Sequence, residues 1–233
     1  MRGATSGVRE ILDRLEIHYG SQGPGWPTDP YQFLVWWYCG YPASDSACSK
    51  GWTSLCDSVG TEPAQILATS SNKLASALKP GGLVPELRGV RLLELAARVQ
   101  NEFGGDLRGG LTGPIARARK VLKSFPGIGD PGADRILLFA GLVPAAAVPS
   151  NAVHVLVRIL GGSESLNYTQ AYKQAQEAIS EEVEGTFDAR TRAYMLFKQH
   201  GQEICKRTRP RCEGCPVNVA CAYARRGLPS LSI

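Results

Sequence analysis

The sequence predicts an all-α protein, and three observations carry that expectation. Apolar residues recur at helical spacing, as in Val8, Ile11, Leu12, Leu15 and Tyr19, and again in Leu92, Leu93, Leu95, Ala96 and Val99. Proline, glycine and short polar residues punctuate the chain between such stretches. Only one stretch, YQFLVWWYC at 31–39, has the aromatic content of a strand, and it is apolar nearly all round, as a buried helix is.

In chain order, a helix is expected over 8–19, followed by a Gly/Pro loop, GSQGPGWPTDP, and the buried segment 31–39. Helical stretches at 62–79 and 88–103 come next. The segment TGPIARARKVLKS at 112–124 reads as a helix with Thr112 as N-cap and Pro114 in the first turn. FPGIG at 125–129 breaks it, and a further helix runs over 131–141 with Asp130 as its N-cap. The loop LVPAAAVPSN leads to helices at 151–160, 168–183 and 188–200, and a tail after Tyr223 is expected to fray.

The 233 residues suit one compact domain or two intimate lobes. Hydrophobic residues make up 43% and charged residues 20%, an ordinary globular balance that excludes a disordered chain. No apolar run approaches the roughly 18 residues of a membrane span. Arg9, Glu10, Asp13, Arg14 and Glu16 rule out a secretory signal at the start. The net charge of +5 permits a polyanionic partner without demanding one.

Of the seven cysteines, Cys39, Cys48 and Cys56 lack a tight knuckle and read as ordinary buried or free thiols. Cys205, Cys212, Cys215 and Cys221 follow the spacing C-x6-C-x2-C-x5-C. An odd total without an export signal argues against a disulfide framework and for a reduced, cytoplasmic protein. Closely spaced thiolates suit Zn²⁺ or an iron–sulfur cluster. A single C-x2-C flanked by medium loops leaves room for a cubane rather than one ion. Lys206, Arg207, Arg209 and Arg211, between the first two of these cysteines, read as a phosphate-contact surface or as a solvated basic loop.

In FPGIG, Gly127 and Gly129 permit a tight turn, and Pro126 stiffens its approach. Backbone N–H groups of such a turn, with the next helix N-terminus, form a cradle for phosphate, and Lys120 and Lys123 add charge upstream.

Hairpin and cysteine cluster together give the sequence its resemblance to the helix-hairpin-helix DNA glycosylases of the endonuclease III and MutY type. Four segments carry it: PYQFLVWWYCGYPASD, FPGIGDPGADRILLFAG, VPSNAVHVLVRILG and RAYMLFKQHGQEICKRTRPRCEGCPVNVACAY. The resemblance implies a two-lobed fold. A six-helix barrel domain would span 30–145, with the helix-hairpin-helix at 112–141. Residues 1–29 and 146–223 would form the cluster lobe around a [4Fe–4S] loop at 205–221, leaving 224–233 as a tail. It also implies damaged or mispaired duplex DNA as partner, a target base flipped into a pocket, and a monomer in the cytoplasm, on the nucleoid if bacterial.

The departures from the family pattern bear on the chemistry. The place of the Schiff-base lysine, two residues after the last hairpin glycine, holds Pro131, so lysine-dependent lyase chemistry is not expected. The place of the catalytic aspartate falls on Pro149, or on Ser150 with a one-residue shift, and neither carries charge. The wedge glutamine is replaced by Pro42. Two roles are open to Asn151, positioning a water or capping the next helix. Asp130 and Asp134 are the other catalytic candidates, weighed against an N-cap and an ion pair, while Asp45 reads as structural.

His154 reads as a contact to phosphate or sugar, or as a packed helix residue. Gly127, Ile128, Gly129, Lys120, Arg207, Arg209 and His154 form the expected DNA-binding set. Tyr41 and Trp37 are the base-pocket candidates, and His200 packs beside the cluster without ligating. The function expected is a monofunctional glycosylase that hydrolyses the N-glycosidic bond. The competing reading is a catalytically silent DNA lesion or structure binder on the same scaffold.

Overall fold

The computed structural model describes residues 7–161 and 167–226. Among these residues the chain is built from α-helices and short 3₁₀ turns, with no strand. It divides into two compact units. One is continuous, Pro24–Leu142, and the other joins the chain ends, Met1–Gly23 and Val143–Ile233. No helix of the described residues is long and apolar enough to cross a membrane.

The unit built from both ends begins with α1 (Val8–Tyr19). Val8, Ile11, Leu12 and Leu15 share one helix face and are buried. They join a core formed by α10 (Val153–Gly161), α11 (Tyr168–Glu182) and α12 (Phe187–Glu203), among them Val155, Leu156, Ile179, Leu196 and Phe197. Arg192 of α12 reaches Asp13 and Glu16 of α1 at 2.7 and 2.8 Å. The short α13 (Ala222–Arg225) lies where fraying was expected; the rest of the expected tail, 227–233, lies outside the described residues.

The continuous unit starts on α2 (Pro30–Tyr38), the aromatic stretch, which is helical and buried. Asp29 caps it by accepting from the N–H groups of Tyr31 and Gln32, and Pro30 fills the first helical position. α3 (Asp45–Ser58), α4 (Pro63–Leu67), α5 (Ser71–Leu78), α6 (Pro85–Phe103), α7 (Leu107–Gly110), α8 (Ile115–Lys123) and α9 (Asp130–Phe139) follow. The single helix expected over 62–79 is therefore two. The Thr69 hydroxyl donates back to the Gln65 carbonyl, and Ser70 caps a new start by accepting from the Lys73 N–H.

Two expected caps are corrected by one or two residues. Pro114, not Thr112, occupies the N-cap of α8, and the Thr112 hydroxyl donates instead to the Gly109 carbonyl. Gly129 occupies the N-cap of α9, which leaves Asp130 in the first turn, where its charge suits the helix dipole.

Two buried arginines organise the continuous unit. Arg88, 1% exposed, donates to the carbonyls of Leu78, Gly82 and Leu83 and, by a close contact, to that of Cys39. It ties the end of α2 to the turn before α6. Arg135 lies 3.8 Å over the Trp26 ring and reaches Asp45 at 3.4 Å. Trp26 also meets Phe139 edge-on at 5.1 Å, which draws the Gly/Pro loop from residue 24 onward into this unit.

Candidate functional site

The hairpin between α8 and α9 is held from several sides within its own unit. Phe125 and Ile128 are buried, at 1% and 6% exposure. The Tyr38 hydroxyl donates to the Pro126 carbonyl at 2.8 Å. Arg98 of α6 lies 4.3 Å over the Phe125 ring and donates to the Ser124 carbonyl. Gly127 takes φ +79°, and a Cβ there would meet the Tyr41 ring at 3.1 Å. The glycine thus serves both a left-handed conformation and a close aromatic approach.

These anchors divide the expected DNA-binding set by role. Gly127 and Gly129 are exposed on the turn, and Lys120 is exposed on α8. Ile128 turns inward, and its N–H donates to the Phe125 carbonyl at 3.2 Å, so it seats the turn. Tyr41 stacks on Trp37 with centroids 4.4 Å apart and planes 23° apart. The Trp37 indole N–H is buried and has no partner among the described residues.

Both hairpin carboxylates are engaged. Asp134, 1% exposed, accepts from Arg119 Nε at 2.7 Å. Asp130, 59% exposed, meets Lys123 Nζ at 2.7 Å. Pro131 is the second residue of α9 and offers no amine.

The segment expected to deliver the catalytic group lies in the other unit. Pro149 accepts from the Ala152 N–H at 2.8 Å, closing a turn that carries Ser150 and Asn151 to the surface just before α10. Ala152 and Val153 behind it are buried. His154, one residue into α10, bonds through Nε2 to the Cys205 carbonyl at 2.7 Å. A carbonyl only accepts, so Nε2 carries the proton of that bond.

Cys205, Cys212, Cys215 and Cys221 line one small cavity of about 20 Å³ together with Arg158, His200 and Tyr223. Among the described residues no group of three or more His, Cys, Asp or Glu side chains is placed to hold a metal. Arg158, 3% exposed, donates to Cys205 Sγ at 3.5 Å and to the Lys206 and Arg207 carbonyls at 2.8 Å each. His200 bonds the Tyr19 hydroxyl through Nδ1 at 3.0 Å and approaches Cys215 Sγ at 3.7 Å. Burial, with His18 and His154 nearby, lowers its pKa to about 4, so it is neutral. Burial, reinforced by the neighbouring thiols, pushes Cys215 up to about 11. In the basic loop Arg209 adopts φ 56°, a left-handed conformation rare for an arginine, just before Pro210.

Sequence reasoning passed over Arg158 and Arg88, because an arginine carries no local sign of burial. Arg119, the partner of Asp134, was passed over because it is one of several cations on a basic helix and its pairing depends on the turn that follows.

No family model matches the chain. It is 32% identical over 160 residues to the thymine/uracil-DNA glycosylase of Methanothermobacter thermautotrophicus, an alignment covering 68% of this chain and 66% of that relative. It is 24% identical over 218 residues to the endonuclease III of Treponema pallidum, covering 93% and 95%. Its fold is similar to the structure of a thermostable thymine-DNA glycosylase, with a TM-score of 0.73 and 25% identity over 94% of this chain and 97% of that one. The chain belongs to the helix-hairpin-helix superfamily of DNA glycosylases, hydrolases of base excision repair that act on DNA. Within it, the likeness runs both to thymine- and uracil-excising glycosylases and to endonuclease III.

Proposed function

We propose that the protein hydrolyses the N-glycosidic bond of thymine or uracil mispaired in duplex DNA, acting as a cytoplasmic monomer with water as nucleophile. One observation carries the reading: a chain with 32% identity to a thymine/uracil-DNA glycosylase has Pro131 where lyase members place their amine. The C1′–N1 bond breaks with its electron pair leaving on the pyrimidine, whose carbonyls delocalise the charge. Water then forms the C1′–O bond and releases a proton to solvent. Because the leaving group is good, a neutral residue that orients the water suffices in place of a strong base.

Asn151 is assigned that orienting role. It lies exposed on the turn before α10, and its amide carbonyl can accept a water hydrogen. The ion pairs of Asp130 and Asp134 favour it over both carboxylates. Gly127 and Gly129 would approach phosphate through the backbone, with Lys120, Arg207 and Arg209 as further contacts, while His154, whose Nε2–H goes to the Cys205 carbonyl, would hold the loop rather than the strand. The Tyr41–Trp37 stack would wall the base pocket.

Cys205, Cys212, Cys215 and Cys221 would hold a [4Fe–4S] cluster. The support is four thiols lining one cavity at the spacing C-x6-C-x2-C-x5-C. The cluster would fix the basic loop; binding it would replace the thiol protons that burial favours. The anaerobically purified protein should then be brown, with about four irons per chain, and Cys212→Ser should lose the colour. Stoichiometric zinc instead would count against the cluster.

The loss of both customary catalytic groups, at Pro131 and Pro149, favours one second reading, the silent binder. Incubation with duplexes carrying G·T, G·U and single modified bases separates the two. Strand breaks that appear only after alkali support the glycosylase. Breaks without alkali, or a borohydride-trapped adduct, indicate a lyase, and binding without product indicates the silent binder.

A further inference from the structure

The hairpin exposes amides and hides carbonyls, and side chains from other helices help to produce that asymmetry. The N–H groups of Gly127 and Gly129 donate to no acceptor among the described residues, and both glycines are exposed. The carbonyls just before them are occupied. That of Phe125 accepts from the Ile128 N–H at 3.2 Å, within the turn itself. Those of Ser124 and Pro126 accept from Arg98 of α6 at 3.1 Å and from the Tyr38 hydroxyl of α2 at 2.8 Å. Such a turn suits an anion where N–H groups converge with no carbonyl oxygen among them, because the oxygen carries the opposing partial charge.

Both donors are fixed before any ligand arrives. Tyr38 is 1% exposed, so its hydroxyl has no solvent to turn to. Burial raises the pKa of this phenol against the pull of Arg91 and Arg98, which keeps it protonated and donating. The Arg98 guanidinium lies 4.3 Å over the Phe125 ring, and its Nη2 donates to the Ser124 hydroxyl at 2.9 Å. Its Nε is held by Glu102 at 3.1 Å. A planar fork spans these partners, as the point charge of a lysine does not.

We infer that Tyr38 and Arg98 are positioning residues of the hairpin, which hold the carbonyls of Pro126 and Ser124 inward so that the amides of Gly127 and Gly129 face a strand phosphate. This rests on the hairpin contact proposed above. Arg98 is already paired with Glu102, so it acts on the turn and not on the strand. Removing either donor frees a carbonyl to rotate outward and bring its partial negative charge beside the phosphate.

The test uses the full-length protein and duplexes bearing an uncleavable abasic-site analogue, which fixes the register. Neutral methylphosphonates replace the surrounding phosphates one at a time, and affinity is read by fluorescence anisotropy. The phosphate whose neutralisation weakens the wild type but not Gly127→Ala is the one at the hairpin. At that position alone, Tyr38→Phe and Arg98→Ala should shrink the penalty about threefold or more, the worth of one hydrogen bond. A variant that had merely lost stability would change the active fraction and no single penalty. Arg98→Lys, which keeps the charge without the fork, should behave as Arg98→Ala does. The salt slope should stay the same in Tyr38→Phe and Arg98→Ala, because neither takes a cation from the strand.

A full wild-type penalty at the hairpin phosphate in both Tyr38→Phe and Arg98→Ala would overturn the inference, and each residue stands or falls by its own variant. A salt slope lowered by about one unit in Arg98→Ala would make Arg98 a phosphate contact itself and end its positioning role. If no penalty depends on Gly127, the hairpin grips no phosphate, and the contact and the inference fall together. Excision assays on G·T and G·U duplexes judge the glycosylase reading separately, since these affinities need no cleavage.

Discussion

Asp134 shows why a carboxylate near the hairpin need not be catalytic. It is 1% exposed and faces Arg119 at 2.7 Å, while Arg119 is one-third exposed. A charge so placed depends on its partner, since burial without compensation is costly. Arg119→Ala should therefore destabilise the fold by about 2 kcal/mol, the scale of a charged hydrogen bond partly open to water, with the loss read as a lowered denaturation midpoint. Asn151 is the opposite case, exposed on a turn and without such a structural duty. Asn151→Ala should leave stability unchanged and slow single-turnover excision about 10²-fold, as expected for a positioned proton-transfer group. Pro149→Asp should raise activity if that position still faces the sugar. Full activity in Asn151→Ala, with loss in Asp130→Asn, would move the chemistry to the hairpin helix.

At the scale of elements, the hairpin joins sequence to packing most directly. Gly127 combines a φ of +79° with a Cβ position only 3.1 Å from the Tyr41 ring. An alanine there carries about 1–2 kcal/mol of left-handed strain and must push Tyr41 along its stack with Trp37. Gly127→Ala should lower the melting temperature and weaken binding to all duplex sequences alike, as a phosphate contact does. Unchanged affinity in a folded variant would place the phosphate elsewhere. This hairpin was legible because proline and glycine announce a turn whatever surrounds it. The α3 helix was not. Its sequence, DSACSKGWTSLCDS, is rich in serine and glycine, and its burial rests on Cys48, Gly51 and Leu55 alone. A Cβ at Gly51 would collide with the Cys39 carbonyl, a close approach that only the tertiary fold reveals. The two-helix outcome over 62–79 was hidden similarly, in a serine whose capping role depends on where the chain turns.

At the scale of the molecule, the two units differ in how the chain builds them, and this has a consequence for folding. The unit Pro24–Leu142 is continuous and contains its own core, its own buried arginines and the whole hairpin. The other unit is discontinuous and needs α1 from the far end of the sequence. Val8, Ile11, Leu12 and Leu15 are each at most 2% exposed. At about 2 kcal/mol per buried aliphatic side chain they contribute about 8 kcal/mol, comparable to the whole stability of a typical domain. Ile11→Ala alone should cost about 3 kcal/mol. A fragment of residues 24–142 should accordingly show helical circular dichroism and a cooperative melt. A fragment of residues 143–233, supplied with iron and sulfide, should show neither until a peptide of residues 1–23 is added. Restoration should fail with a peptide carrying Ile11→Asp, which keeps the length and helical pattern but puts a charge into the shared core. A cooperative melt of 143–233 by itself would mean that the loop cysteines and α10–α12 suffice, and that α1 only covers a finished core.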